Sequence, residues 1–107
     1  MITIRRDEDD EILGYLAPTG DEWLPLTVFH VALADPASQD DAEEIVRRDG
    51  LASLSDPWWV EDEQGEWVEA RLQEAQPHRI RVRWADPMID QPAHGVWIDT
   101  RERRVRR

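Results

Sequence analysis

The chain has 107 residues, enough for one hydrophobic core and one domain. Six Trp and 40% hydrophobic residues exclude a disordered chain, and the absence of Cys excludes disulfide frameworks, thiolate metal sites and thiol nucleophiles. A formal charge of -11 excludes a surface that is basic throughout.

The charge is uneven. Residues 1–70 hold 19 acids and 4 Arg, a net of -15, whereas residues 71–107 hold 5 acids and 9 Arg, a net of +4. This split predicts a solvated acidic body with a cationic tail over residues 101–107. All thirteen basic residues are Arg, a bias that a GC-rich genome produces. No apolar run approaches the ~18 residues of a bilayer span. Residues 1–6 lack the pattern of a signal peptide. A cytoplasmic protein without membrane contact is therefore expected.

Residues 2–6 alternate apolar and polar, as a half-buried strand does. Asp7-Glu8-Asp9-Asp10 reads as a turn. Strand character resumes over residues 11–17, with Ile12, Gly14 and Leu16 on one face and Leu13 and Tyr15 on the other. Pro18-Thr19-Gly20-Asp21 makes the next reversal. Residues 22–33 then form the longest strand candidate, in which Pro25 requires an edge or a bulge.

One helix is expected over about residues 36–49. Asp35-Pro36 suits its start, and Ser38 with Asp41 three residues on is an alternative start of the capping-box kind. Acids crowd its first half and Arg47 and Arg48 its last turn, matching the helix dipole. Gly50 suits its end. Ala42, Ile45 and Val46 form a narrow apolar stripe, so this helix covers a sheet.

The densest signal runs over residues 58–99. Trp58-Trp59-Val60, residues 67–72, residues 80–84 and Val96-Trp97-Ile98 read as strands, with turns at 61–65 and 74–77 and a loop at 86–94. Ile80, Val82 and Trp84 face one way and Arg79, Arg81 and Arg83 the other. The hairpin around Trp67 echoes the one around Trp23. Gly20-Asp21-Glu22-Trp23-Leu24 resembles Gly65-Glu66-Trp67-Val68 with one residue inserted.

Gly65, Trp67, Ala70 and Leu72, then Ile80, Val82 and Trp84, then Trp97 and Ile98 form a pattern similar to the small SH3-like barrels of Tudor and agenet type. It covers about a third of the chain. Tudor-type domains often read methylated Lys or Arg through an aromatic cage, and the resemblance nominates Trp59, Trp67, Trp84 and Trp97 for such a cage. The whole chain also resembles a family of short actinobacterial proteins, a likeness that implies no function.

Adjacent Trp58 and Trp59 point to opposite faces of a strand, so one ring lies off the main core. The Arg79, Arg81, Arg83 stripe is explained in part by a cross-strand Glu69–Arg81 pair. His30, His78 and His94 are far apart and form no metal-binding motif, and Asp90 with His94 is weak spacing for a metal. Counting twelve residues from Asp7 puts Ile12 where a calcium loop needs Gly and Pro18 where it needs Glu. No nucleophile elbow, phosphate loop or triad is present.

The expected fold is α+β and mostly β: a twisted antiparallel sheet or partial SH3-like barrel of about six to seven strands with one covering helix. Residues 1–100 are expected as a single globular domain. The expected function is a non-catalytic protein-interaction module, with no cofactor and no metal. Its candidate partner surface is Trp58, Trp59, Arg79, Arg81, Arg83, Met88 and His94. Self-association of the basic tail with the acidic face is a further expectation. Nucleic-acid binding through the arginines is an alternative that the acidic body opposes. A small-ligand protein or enzyme with an unrecognised site is the other alternative.

Overall fold

A computed structural model describes residues 1–107, whose contacts gather into two units, Met1–Leu54 and Ser55–Arg107. The fold is α+β and mostly β, with one α-helix and two antiparallel sheets, one of them curled into a half-barrel.

In the first unit, β1 (Ile2–Arg5), β2 (Ile12–Thr19) and β3 (Glu22–Leu26) pair in chain order. The acidic turn between β1 and β2 is closed by Arg6, which donates to both carboxylate oxygens of Asp9 at 3.0 and 2.7 Å. Those bonds, with a backbone N–H from Glu11, hold the Asp9 carboxyl down to about 2. Strict alternation separates Leu13 from Leu16, but both lie in the core, and a bulge is the reason. Ile4 pairs with Gly14 and Arg5 with Ile12, so Leu13 is the extra residue and turns inward.

Strand β3 ends at Leu26 and does not continue to residue 33. The chain reverses at Thr27, whose Oγ1 accepts from the Val31 N–H at 3.1 Å, with His30 at φ 64°. Residues 31–37 then return antiparallel along β3, through bridges from Leu26 to Ala32 and from Trp23 to Ala37.

Helix α1 (Gln39–Asp49) starts at the capping serine, not at Asp35-Pro36: the Ser38 Oγ accepts from the Asp41 N–H at 3.2 Å. Ala42 and Val46 are buried and Ile45 packs at their border against Ile4, Leu13, Leu16 and Leu33. Gly50 caps the helix in a right-handed conformation, φ -52°. Glycine is needed there because a Cβ would collide with the Leu13 carbonyl oxygen.

In the second unit, β4 (Trp58–Glu61), β5 (Trp67–Gln76), β6 (Arg79–Trp84), β7 (Val96–Asp99) and β8 (Val105–Arg106) form one sheet in the order β7-β6-β5-β4-β8. The meander β4 to β7 is followed by a return to the β4 edge. Strand β5 runs four residues past the expected end, and Pro77-His78 makes a two-residue turn with His78 at φ 64°. The segment expected as a tail supplies β8, with Arg106 opposite Trp59 and Val105 opposite Val60. The two hairpins that echo each other in sequence differ in register by one residue: Trp23 faces Pro18, whereas Trp67 faces Glu61.

Candidate functional site

The register assigns the two faces of the five-stranded sheet. Trp58, Val60, Ala70, Ile80, Val82 and Ile98 are buried on one face. The other face carries Trp59, Glu61, Trp67, Glu69, Arg71, Glu74, Arg79, Arg81, Arg83, Trp97, Asp99 and Arg106 by the same alternation. It is a ladder of guanidinium, carboxylate and indole groups.

The adjacent tryptophans separate as expected. Trp58 is 0% exposed, so it belongs to the core and is not part of a partner surface. Trp59 is half-buried, between Arg106 of β8 and Glu69 of β5.

Strand β6 delivers its three arginines to the outward face, and each has a distinct partner. The Arg79 guanidinium carbon lies 3.8 Å from the centre of the Trp97 ring, and that of Arg81 lies 5.9 Å away. Arg81 pairs with Glu74 at 3.5 Å, and its Nη1 donates to the His94 carbonyl at 2.6 Å. Arg83 Nη1 donates to the Ala93 carbonyl at 2.6 Å. Glu69 was the expected partner of Arg81. The two-residue turn at Pro77-His78 sets the register, Gln76 opposite Arg79 and Glu74 opposite Arg81, so Glu74 takes that place.

The loop after β6 is tied by a side chain acting as a strand. Gln91 Oε1 accepts from the Trp84 N–H at 2.7 Å, and Gln91 Nε2 donates back to the Trp84 carbonyl at 3.3 Å. This arrangement brings the 93–94 carbonyls onto Arg81 and Arg83. His94 is exposed and borders the arginine stripe through its carbonyl on Arg81, whereas Met88, 87% exposed, is bonded through its backbone N–H to Asp86 within the loop. Trp97 is 38% exposed and joins the surface. Arg71 joins this face as well, because the bulge between Leu72 and Glu74 sets it directly opposite Arg83.

At the β8 edge the arginines are engaged. Arg104 pairs with Glu61 at 3.2 Å and Arg107 with Asp56 at 3.0 Å, while Arg103 Nε donates to the Glu61 carbonyl at 2.9 Å. Arg106 and Arg104 lie 4.2 and 5.5 Å from the centre of the Trp67 ring. The turn leading to β8 is closed by Asp99, which accepts from the Arg101 side chain at 3.1 and 2.9 Å and from its backbone N–H at 2.8 Å. The Arg101 side chain first, then its backbone N–H, hold the Asp99 carboxyl down to about 2.

The four tryptophans nominated for a cage do not converge. Trp97 lies on β7 and Trp67 at the far end of β5, with β6 between their strands, and each already faces a guanidinium of this chain. A cleft of about 320 Å³ is lined by Glu61, Asp62, Glu63, Glu102, Arg103 and Arg104. One ion pair, Arg104 with Glu61, lies within it. No group of three His, Asp or Glu side chains gathers in a metal-holding arrangement. No helix is long and apolar enough to cross a membrane.

No protein-family model, curated protein or solved structure matches the chain.

Proposed function

We propose that this chain is a non-catalytic protein-interaction module whose docking surface is the outward face of β5, β6 and β7. The observation that carries this reading is the exposed Trp97 ring, with the Arg79 and Arg81 guanidiniums 3.8 and 5.9 Å from its centre, on a face that no helix of the second unit covers. Trp and Arg supply most of the energy at protein interfaces, through rigid apolar area and directional donors. Their clustering around a partly exposed ring suits a docking anchor.

The partner's chemistry follows from charge. Arg71, Arg79 and Arg83 are exposed on the same face as that ring, so an acidic protein segment is the complementary occupant. The same surface suits nucleic acid less well. Glu69, Glu74 and Asp99 share the face and would meet the phosphates of a bound strand. The arginines of residues 101–107, which the nucleic-acid reading needs beside Arg79, Arg81 and Arg83, are engaged with Asp99, Glu61, Trp67 and Asp56. A barrel of SH3-like type is our reading of the second unit, supported by a meander whose last short strand returns to pair with its first.

Affinity capture with the full chain tests the module. Partners recovered by the wild type should be lost with Trp97→Ala and reduced with Arg79→Gln, both variants retaining the wild-type circular dichroism. Unchanged partner lists for both folded variants would remove the reading.

A further inference from the structure

We propose that Arg71 and Arg83 form a single oxyanion site, and that the partner of this face places one carboxylate or phosphate group between them. The inference rests on the docking face proposed above and specifies the acidic group it receives.

Strands β5 and β6 set Arg71 directly opposite Arg83. Like charges in opposed positions of an antiparallel pair repel. The neighbouring outward positions of β6 avoid this. Arg81 faces Glu74 and pairs with it at 3.5 Å, and Arg79 stacks on Trp97 at 3.8 Å. The Arg71 side chain makes no hydrogen bond and no ion pair, and the Arg83 side chain makes only its 2.6 Å bond to the Ala93 carbonyl. That bond fixes one Nη of Arg83 and leaves the remaining donors of its guanidinium available.

Both side chains of the pair are exposed. Val82 faces Val96, the first residue of β7, and the buried Gly95 before it adds no side chain to the row. Gly95 sits at φ 89°, and a Cβ there would come within 2.7 Å of the Val82 carbonyl oxygen, so glycine is required at this position. Two guanidiniums side by side offer N–H forks of the kind that carboxylate and phosphate oxygens accept. Glu69, two residues before Arg71 on the same face, and Glu74 after the bulge border the pair. The site therefore holds one anionic group and does not follow a polyanionic backbone.

The test uses the full chain and one acidic peptide made with Glu, phosphoserine or Gln at its central position, followed by fluorescence anisotropy at low salt. The Glu and phosphoserine forms should bind the wild type about three- to tenfold more tightly than the Gln form. The tighter of the two identifies the preferred oxyanion. That advantage should vanish in Arg71→Gln and equally in Arg83→Gln, and the double variant should lose little more than either single one, because both side chains hold the same group. Arg101→Gln, an equal change of charge outside the pair, should keep the advantage. Losses that multiply in the double variant, or that Arg101→Gln reproduces, overturn the shared site and leave the docking face standing. Failure of every acidic peptide to bind the wild type overturns both. An oligothymidylate that binds more tightly than the peptides overturns the site in favour of nucleic acid.

Discussion

The two units of this chain solve the same problem, covering a small antiparallel sheet, in different ways. Residues 1–54 hold 13 acids and 4 Arg, and residues 55–107 hold 11 acids and 9 Arg. The first unit packs α1 on its sheet and spends its few arginines locally, Arg6 on Asp9 and Arg47 on Glu43 at 3.1 Å. The second unit has no α-helix, so one face of its sheet is core and the other stays outward, studded with Arg and Trp. Scaffold features dominate the first unit; the second keeps a chemically specific face in reach of solvent.

Removing the largest core side chain tests this division most severely. Trp58→Ala should destabilise the protein by about 3–5 kcal/mol in urea unfolding, because a fully buried indole leaves a cavity. A cost below about 1 kcal/mol would mean that Trp58 is not a core residue. In the first unit, Ser38→Ala should cost about 0.5–2 kcal/mol through loss of the helix cap. Hydrogen exchange in the first turn of α1 should rise with it, and unchanged exchange would contradict the cap.

One turn in each unit is tied by an ionised aspartate, Asp9 and Asp99, whose carboxyls are held to about 2. Their folded pKa lies below the unfolded value of about 3.9, so their contribution is present above that value and fades as pH falls through about 2. Both turns are exposed, so the effect on global stability is small. Carboxyl-detected NMR titration should give midpoints near 2 for both residues, and ordinary midpoints would refute the Arg6 and Arg101 hydrogen bonds. The smallest effect has the opposite sign. Arg71→Gln should raise stability by about 0.2–1 kcal/mol, by removing a like charge opposite Arg83. A lower melting temperature would show that Arg71 is already paired.

Much of this was legible in the residues. Alternation separated Ile80, Val82 and Trp84 from the three arginines, adjacency separated Trp58 from Trp59, and the spacing of Ser38 and Asp41 gave the alternative helix start that the structure adopts. What alternation cannot register is an inserted residue. The bulge at Leu13 brought it into the core with Leu16, and the bulge between Leu72 and Glu74 set Arg71 opposite Arg83, where unbroken pairing from the turn would set it opposite Trp84. Two reversals also lack glycine. His30 and His78 adopt positive φ, so residues 27–31 read as a continuous strand and the β5–β6 turn was placed too early. The opposition of Arg71 and Arg83 needs both the late turn and the bulge after Leu72, so alternation alone does not reveal it. The docking of residues 105–106 on β4 carries no local signal, because pairing to a distant edge is not written in seven charged residues.

The central claim, that the outward face of β5, β6 and β7 receives an acidic partner segment, is tested most directly by amide NMR. The labelled full chain would be titrated with the glutamate-bearing peptide at low salt. The account predicts shifts at Arg71, Arg79, Arg83, Gly95 and Trp97, with α1 unmoved. Shifts confined to other surfaces, or none at saturating peptide, would contradict it.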